Sequence, residues 1–280
     1  MPALQDAPVS FVVLFVYLAA TAWTGLYPTT ESLVGHGAAV GFLVPDEHWR
    51  LVSAAFLHGG VLHVGVNSFS LIWVGPMVER SLGGSRYVLL YLVTAIGGNI
   101  TGLLSQSPLA PLIGGSGAIF GMLGALLALF MRMGRTHLEF LAFHGPRSLV
   151  GMIVANLVLG FMIPQVSNAA HVGGLISGFV LTYMFFDRGR GAADAVTRLL
   201  QAGWIAIFAA GVLYSTRPTL SWSWSVRQAL HGSTLEIRED HARRLRLEGF
   251  TLGDLEREFR TELPEVWGDS GRRLVQRLFD

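Results

Sequence analysis

The sequence predicts an all-α polytopic membrane protein, because it is apolar, poor in charge and divided into stretches of membrane-spanning length. Hydrophobic residues make up 51% of the 280 residues and charged residues 14%, whereas a soluble domain carries about 25% charge. Seven apolar stretches approach the roughly 20 residues with which a helix crosses a bilayer. They lie near residues 9–27, 62–78, 86–105, 116–133, 148–164, 169–186 and 199–216.

The placement of arginine predicts the orientation of these spans. Arginines cluster at the connections that follow the second, fourth and sixth stretches, and the opposite loops before the tail carry only Arg50. By the positive-inside rule the arginine-rich side is cytoplasmic, so the N-terminus lies inside and the loops 28–61 and 106–115 face outward. Asp6 and no basic residue precede the first stretch, which favours a retained span over a secretory signal. We expect a bacterial plasma membrane, since no transit peptide is visible.

Composition also indicates how the chain is divided into domains and which classes of partner are excluded. We expect a six-helix membrane core over residues 1–191, a seventh membrane helix over 192–216, and a small helical tail over 217–280 that is soluble or lies on the membrane surface. Trp222 and Trp224 suit a membrane interface in that tail. A net charge of +1 argues against a nucleic-acid partner, which would require a dense basic face. The chain has no cysteine, which excludes disulfides and thiolate metal sites, and its oligomeric state is left open.

A candidate nucleophile, Ser116, lies among glycines at the head of an apolar stretch. Gly114 and Gly115 suit a tight loop that exposes backbone N–H groups. Gly117 and Gly121 leave a bare helix face behind the serine, a common means of bringing two membrane helices close. A helix over 116–133 rises only about 27 Å, so it can begin below the membrane surface.

Three further polar residues fall at the same predicted depth. His63 and Asn67 are four residues apart and share one helix face, and His171 precedes a second bare face formed by Gly174 and Gly178. Docking of the two glycine faces would bring the His171 imidazole to the Ser116 hydroxyl. A serine beside an imidazole is a nucleophile with its general base.

Acyl transfer also needs donors for the developing oxyanion. The Ser116 backbone N–H, the Asn67 amide and the His63 ring are the expected donors. No carboxylate is available at this depth to orient His171, so we predict a catalytic dyad without a third member.

Two structural interpretations compete with this one. Ser116 could serve only in helix packing, and the histidines could be buried polar residues that make hydrogen bonds and have no catalytic role. A zinc site formed by His58, His63 and His171 is a third possibility. The five-residue spacing of His58 and His63 fits one helix face poorly, and no His-Glu-x-x-His motif exists. The Gly-x-Ser-x-Gly elbow of soluble hydrolases is also absent, because Ala118 follows Gly117. We therefore expect neither a metal nor another cofactor.

With these residues assembled, the chain from about Trp49 to Gly178 resembles the rhomboid intramembrane serine proteases. Trp49-Arg50 resembles the Trp-Arg pair of the family's first outer loop, and His63-x-x-x-Asn67 matches its His-x-x-x-Asn motif. Gly114-Gly115-Ser116-Gly117 matches Gly-x-Ser-Gly, and Ala170-His171-x-x-Gly174-x-x-x-Gly178 matches the sixth helix. Phe120 stands where some members carry tyrosine under the catalytic histidine.

The resemblance implies a six-helix bundle whose fourth helix starts inside the membrane. It implies that a Ser116/His171 dyad cleaves transmembrane segments of other membrane proteins, with His63, Asn67 and the Ser116 backbone as oxyanion donors. The fifth span and the loop after it would form the lateral gate and cap, and the seventh span resembles the form of the family with one added helix.

Two other functions compete with proteolysis. A rhomboid-like protein that binds membrane helices without cutting them would usually lack the serine or the histidine, and both are here. A transporter or channel with a histidine proton relay would be expected to carry intramembrane carboxylates or matching broken helices, and the sequence shows neither.

Overall fold

The computed structural model describes residues 6–41, 43–106, 110–133, 144–163, 166–186 and 195–217, together with 225, 234–247, 249, 251 and 253. Within these residues the chain is helical and contains no strand; an isolated antiparallel bridge joins Ala39 and Leu112. The helices, in chain order, are α1 (Pro8–Thr24), α2 (Thr30–Gly35), α3 (Arg50–Ser53), α4 (Val61–Leu82), α5 (Gly84–Ser105), α6 (Ser116–Met133), α7 (His144–Met162), α8 (Asn168–Phe185), α9 (Ala195–Ser215) and α10 (Leu235–Leu247).

Seven of these helices, α1 and α4 to α9, lie on the seven predicted spans, which confirms the all-α membrane fold. Among the described residues, α4, α5 and α9 are long and apolar enough to cross a membrane. The apolar parts of α1, α6 and α7 are shorter, at Pro8–Thr24, Ser116–Arg132 and Arg147–Met162. A short α6 is consistent with a helix that starts below the surface of the bundle.

The helix boundaries follow from a few residues with special backbone angles. Pro8 opens α1, where its missing N–H removes no hydrogen bond. Gly25 and Gly83, with φ of 100° and 84°, end α1 and α4 in a region that favours glycine. Ser167 caps α8 by accepting a hydrogen bond from the Ala170 N–H at 3.3 Å. As a result α8 begins three residues before His171.

Helices α5, α6 and α8 form the tightly packed centre of the bundle. A Cβ added to Gly174 would overlap the carbonyl oxygen of Gly117, and one added to Gly178 would overlap that of Gly121. On the α5 side, a Cβ on Gly98 would lie 3.3 Å from Gly117 Cα. The bare glycine faces therefore lie against each other, and the backbones approach more closely than larger side chains would permit.

A buried carboxylate joins α1 to α4 at the end of the bundle remote from Ser116. Glu79, 4% exposed, accepts hydrogen bonds from the backbone N–H groups of Val9 at 2.9 Å and Ser10 at 2.7 Å, and from Ser10 Oγ at 2.7 Å. A carboxylate at a helix N-terminus satisfies otherwise unpaired donors and complements the helix dipole. Glu79 therefore links the C-terminal half of α4 to the first turn of α1 by three hydrogen bonds.

The long connection between α1 and α4 is held together by Arg50. The buried guanidinium donates from Nη1 to the carbonyl oxygens of Val34 at 2.6 Å and Ala38 at 3.0 Å. It also forms a salt bridge with Glu47 at 2.9 Å. Arg50 thus fixes the loop that covers the Ser116 end of the bundle, while the neighbouring Trp49 is 51% exposed.

Helices α7 and α9 lie at the periphery of the bundle. The described part of α7 contacts α6 and α8, and Leu149 and Ile153 join the core. Its other face is exposed, with Phe161 82% exposed. The expected division at residues 191 and 216 stays a prediction, and Trp222 and Trp224 lie outside the described residues.

Candidate active site

Ser116 is the first residue of α6 and follows a sharply turned loop. Gly114 has φ of 110°, which a residue with a side chain rarely adopts. Its N–H donates to the Ala54 carbonyl at 2.9 Å, so this loop is tied to the segment after α3. The first hydrogen bond of α6 runs from Ile119 N to Gly115 O at 3.0 Å. Ser116 lies three residues before Ile119, in the first turn of α6, where backbone N–H groups have no partner within the helix.

The depth of Ser116 in the bundle follows from the residues of α1 and α5 that lie beside the serine loop. Gly115 lies against the hydroxyl of Tyr17, and Gly117 lies against Gly98. Tyr17 and Gly98 are each seven residues from the nearby end of α1 and α5. At 1.5 Å per residue, both place the serine roughly 10 Å below the helix ends.

His171 is paired with Ser116. Its Nε2 lies 2.9 Å from Ser116 Oγ, a hydrogen-bonding distance at which the hydroxyl can donate to the ring. Phe120, one turn along α6, stacks on the imidazole with ring centroids 4.2 Å apart and planes 9° apart. The other ring nitrogen, Nδ1, is buried and has no hydrogen-bond partner among the described residues. Stacking, and not a carboxylate, therefore orients the imidazole in the described part of the chain.

His63 and Asn67 lie on the α4 face beside this loop, and the bonds they make are local. The Asn67 side chain is 3% exposed, and its Nδ2 donates to the His63 carbonyl at 3.0 Å. His63 Nδ1 accepts a hydrogen bond from the Gly59 N–H at 3.2 Å. The Nε2 atom of the same ring approaches Gly114, where an added Cβ would lie 2.7 Å away. The structure thus brings the His63 ring to the serine loop.

Two tyrosine hydroxyls that were not predicted as part of the site, those of Tyr17 and Tyr91, lie near the serine loop. The Tyr17 and Tyr91 hydroxyls are 2.9 Å apart, and Tyr91 donates to the Ala55 carbonyl at 3.2 Å. His58 is fully buried and lies edge-on to both Tyr17 and His63. A hydroxyl such as that of Tyr17, at the centre of an apolar stretch, is the signal that could have found this cluster.

The zinc alternative gains no support from the described residues. Among them, no group of three histidine, cysteine, aspartate or glutamate side chains could hold a metal ion. His58 instead packs against His63, with ring centroids 5.1 Å apart, and His171 faces Ser116.

Comparison with known proteins gives a consistent result. The family model of the rhomboid domain matches residues 45–188. Rhomboid protease GluP of Bacillus subtilis is 35% identical over 216 residues, which cover 75% of this chain and 41% of that protein. RHOMBOID-like protein 1 of Arabidopsis thaliana is 36% identical over 166 residues, covering 58% of this chain and 41% of that protein.

A shorter relative is covered more fully. YdcA of Bacillus subtilis is 34% identical over 139 residues, which cover 49% of this chain and 67% of that protein. The chain spans about two fifths of the length of GluP and of RHOMBOID-like protein 1. Because the rhomboid domain match covers more than half of the sequence and includes Ser116, His171, His63 and Asn67, the chain belongs to the rhomboid family.

Proposed function

We propose that this chain is an intramembrane serine endopeptidase that cleaves transmembrane segments of other membrane proteins. The observation that carries the proposal is the 2.9 Å contact between Ser116 Oγ and His171 Nε2, roughly 10 Å below the helix ends. The name of the relative GluP, a rhomboid protease, supports the same reaction class.

In the acylation step, Ser116 Oγ attacks the substrate carbonyl carbon while its proton moves to His171 Nε2. The tetrahedral intermediate collapses as the C–N bond breaks, and His171 passes that proton to the leaving amine. A water then attacks the ester and gives a proton to His171. Cleavage of the ester C–O bond releases the new carboxyl group, and the proton returns to Ser116 Oγ. The bonds and protons exchanged in these steps balance among the substrate, the dyad and one water.

The negative charge on the intermediate needs preorganised donors. The Ser116 N–H lies in the first turn of α6, where a backbone donor has no partner within the helix, and the His63 ring lies beside Gly114. The buried Asn67 amide is close by on the same helix face and keeps one Nδ2 proton beyond its bond to His63 O. These three groups are the donors we assign to the oxyanion.

Substrates reach the dyad from the side of the bundle in this proposal. Among the described residues, α7 contacts both α6 and α8, the helices that carry Ser116 and His171, so we assign α7 the role of lateral gate. The arginine distribution favours a cytoplasmic N-terminus and an active site that opens to the outer side of the membrane.

The first test is covalent labelling by a fluorophosphonate, which reacts with activated serines. Solubilised wild-type protein is compared with Ser116→Ala and His171→Ala, and each variant is also incubated with a reporter transmembrane substrate. Ser81→Ala and His48→Ala are matched controls, because both side chains are exposed and remote from the site in sequence. We expect labelling and cleavage in the wild type and both controls, and neither in the two dyad variants.

Two results would overturn the proposal. The first is labelling that survives Ser116→Ala, since another serine would then be the nucleophile. The second is a folded wild-type protein that neither reacts nor cuts but still binds the reporter helix. That outcome would identify a non-cutting member of the family.

A further inference from the structure

The turn before α4 holds His63 in a defined hydrogen-bonding state. The Gly59 backbone N–H donates to His63 Nδ1 at 3.2 Å. A ring nitrogen that accepts a hydrogen bond carries a lone pair and no proton, so in the neutral imidazole the proton lies on Nε2.

The protonated nitrogen then faces the serine loop. His63 Nε2 is the nearest atom to the position that a Cβ on Gly114 would occupy, at 2.7 Å. The ring is also held edge-on by the fully buried His58, at 5.1 Å between centroids and 78° between planes. Rotation of the ring to exchange its two nitrogens would break the Gly59 bond and disturb this contact.

We propose that Gly59 is a positioning residue whose backbone N–H fixes His63 as the Nε2–H tautomer. In that state His63 can only donate toward the site, as an oxyanion donor must. It therefore does not compete with His171 for the Ser116 proton. The catalytic consequence rests on the proposed protease function, whereas the tautomer itself does not.

The two histidines consequently carry opposite protonation patterns. His171 acts as a base only if Nε2, which faces Ser116 Oγ, is unprotonated, so that its proton lies on Nδ1. Its Nδ1 has no partner among the described residues, whereas the Nδ1 of His63 is bonded to Gly59. The backbone N–H of Gly59 thus distinguishes His63, which donates toward the site, from His171, which accepts.

Gly59 is not required for its backbone shape. It is absent from the glycines with positive φ, unlike Gly60, whose φ is 127°. A Cβ at Gly59 would meet only Ile113 Cδ1 at 3.4 Å and His63 Nδ1 at 3.7 Å, which are ordinary contacts. Alanine keeps the N–H and is sterically acceptable, whereas proline removes the N–H. Gly59→Ala and Gly59→Pro therefore form a matched pair.

The direct test is ¹⁵N NMR of the wild-type protein labelled at the histidine rings and glycine amides, with His63→Gln used to assign the His63 signals. We expect a protonated Nε2, an unprotonated Nδ1, and a correlation between the Gly59 amide proton and His63 Nδ1. A protonated Nδ1 in the wild type would overturn the proposal, and this result does not depend on the folding of any variant or on activity.

The matched pair then tests the role of Gly59. In Gly59→Ala we expect the wild-type ring signals and a rate of substrate cleavage near that of the wild type. In Gly59→Pro we expect a mixture of tautomers and a kcat lower by about tenfold with KM little changed, since full loss of an oxyanion donor costs about 10²- to 10³-fold. A folded Gly59→Pro protein with unchanged ring signals would contradict the assignment. Correct wild-type ring signals in a protein that cuts no substrate would instead refute the protease function alone.

Discussion

Phe120 lies parallel to the imidazole of His171, with ring centroids 4.2 Å apart and planes 9° apart. In a Ser-His-Asp triad a carboxylate on Nδ1 holds the histidine in place. Here Nδ1 has no partner in the described part of the chain, and the stacked phenyl ring holds the imidazole while Nε2 faces Ser116. One residue of α6 thus orients an imidazole on α8.

Removal of this ring should slow the reaction. An aromatic pair contributes about 0.5–1.5 kcal/mol beyond its buried area, so we expect Phe120→Leu to lower kcat by about two- to tenfold. Phe120→Tyr keeps the stacked ring and should stay near the wild-type rate. Initial rates on a reporter substrate, with unfolding midpoints for each variant, separate orientation from stability. Equal rates for leucine and phenylalanine at this position would show that stacking does not orient His171.

The contact between α6 and α8 allows no side chain at Gly174. The Cβ of Gly174→Ala would overlap the Gly117 carbonyl oxygen, so the two helices must separate. Overpacking of this kind destabilises a protein by about 1–3 kcal/mol. Because Ser116 and His171 lie on these two helices, we expect cleavage to fall by about 100-fold or more, as a displacement of 1 Å can cost that much.

Gly203→Ala is the matched control for that change. Gly203 lies within α9, where an added Cβ meets no atom within 4 Å. Alanine should be neutral or stabilise the helix by up to about 1 kcal/mol. Thermal unfolding and cleavage assays on both variants check the pair. Full activity in Gly174→Ala would mean that the helices do not approach as closely as described.

A third prediction concerns stability at the opposite end of the bundle. Glu79→Ala removes the acceptor of three hydrogen bonds from Val9 and Ser10 and leaves the two Ser10 donors buried and unpaired. Each unsatisfied donor costs about 1–3 kcal/mol, so we expect a loss of at least about 2 kcal/mol in the free energy of unfolding. Glu31→Ala, at an exposed position, should have little effect. Unfolding in mixed micelles measures the free energy of unfolding of both variants. Equal values for Glu79→Ala and the wild type would show that the Glu79 hydrogen bonds do not stabilise the contact between α1 and α4.

Much of this site could be predicted because its pattern is local in the sequence. The glycines around Ser116 predict both the turn and the close helix contact, and the start of α6 at Ser116 agrees with the predicted boundary. The spacing of His63 and Asn67 fixes their shared face as soon as α4 is recognised as a helix.

What escaped prediction depends on pairing between distant residues. Glu79 bonds residues 69 and 70 positions away, and nothing near it in the sequence indicates that partner. The hydrogen bond from Gly59 to His63 depends on where α4 begins, and helix ends are the least certain feature of a sequence pattern. The burial of His58 between Tyr17 and His63 likewise requires the packed bundle.

The depth of the dyad leads to a prediction about the substrate. Ser116 lies roughly 10 Å below the helix ends, and a helical substrate keeps its carbonyls in internal hydrogen bonds, so the segment must unwind before cleavage. We expect good substrates to carry small or helix-breaking residues near the outer end of their span. Replacing one glycine there with leucine favours the helix by about 0.8–1 kcal/mol and should slow cleavage by about fivefold. The same change at the inner end serves as the control, and rates on the reporter in bilayers measure both. Identical rates for the two changes would mean that unwinding at the outer end does not limit cleavage by Ser116.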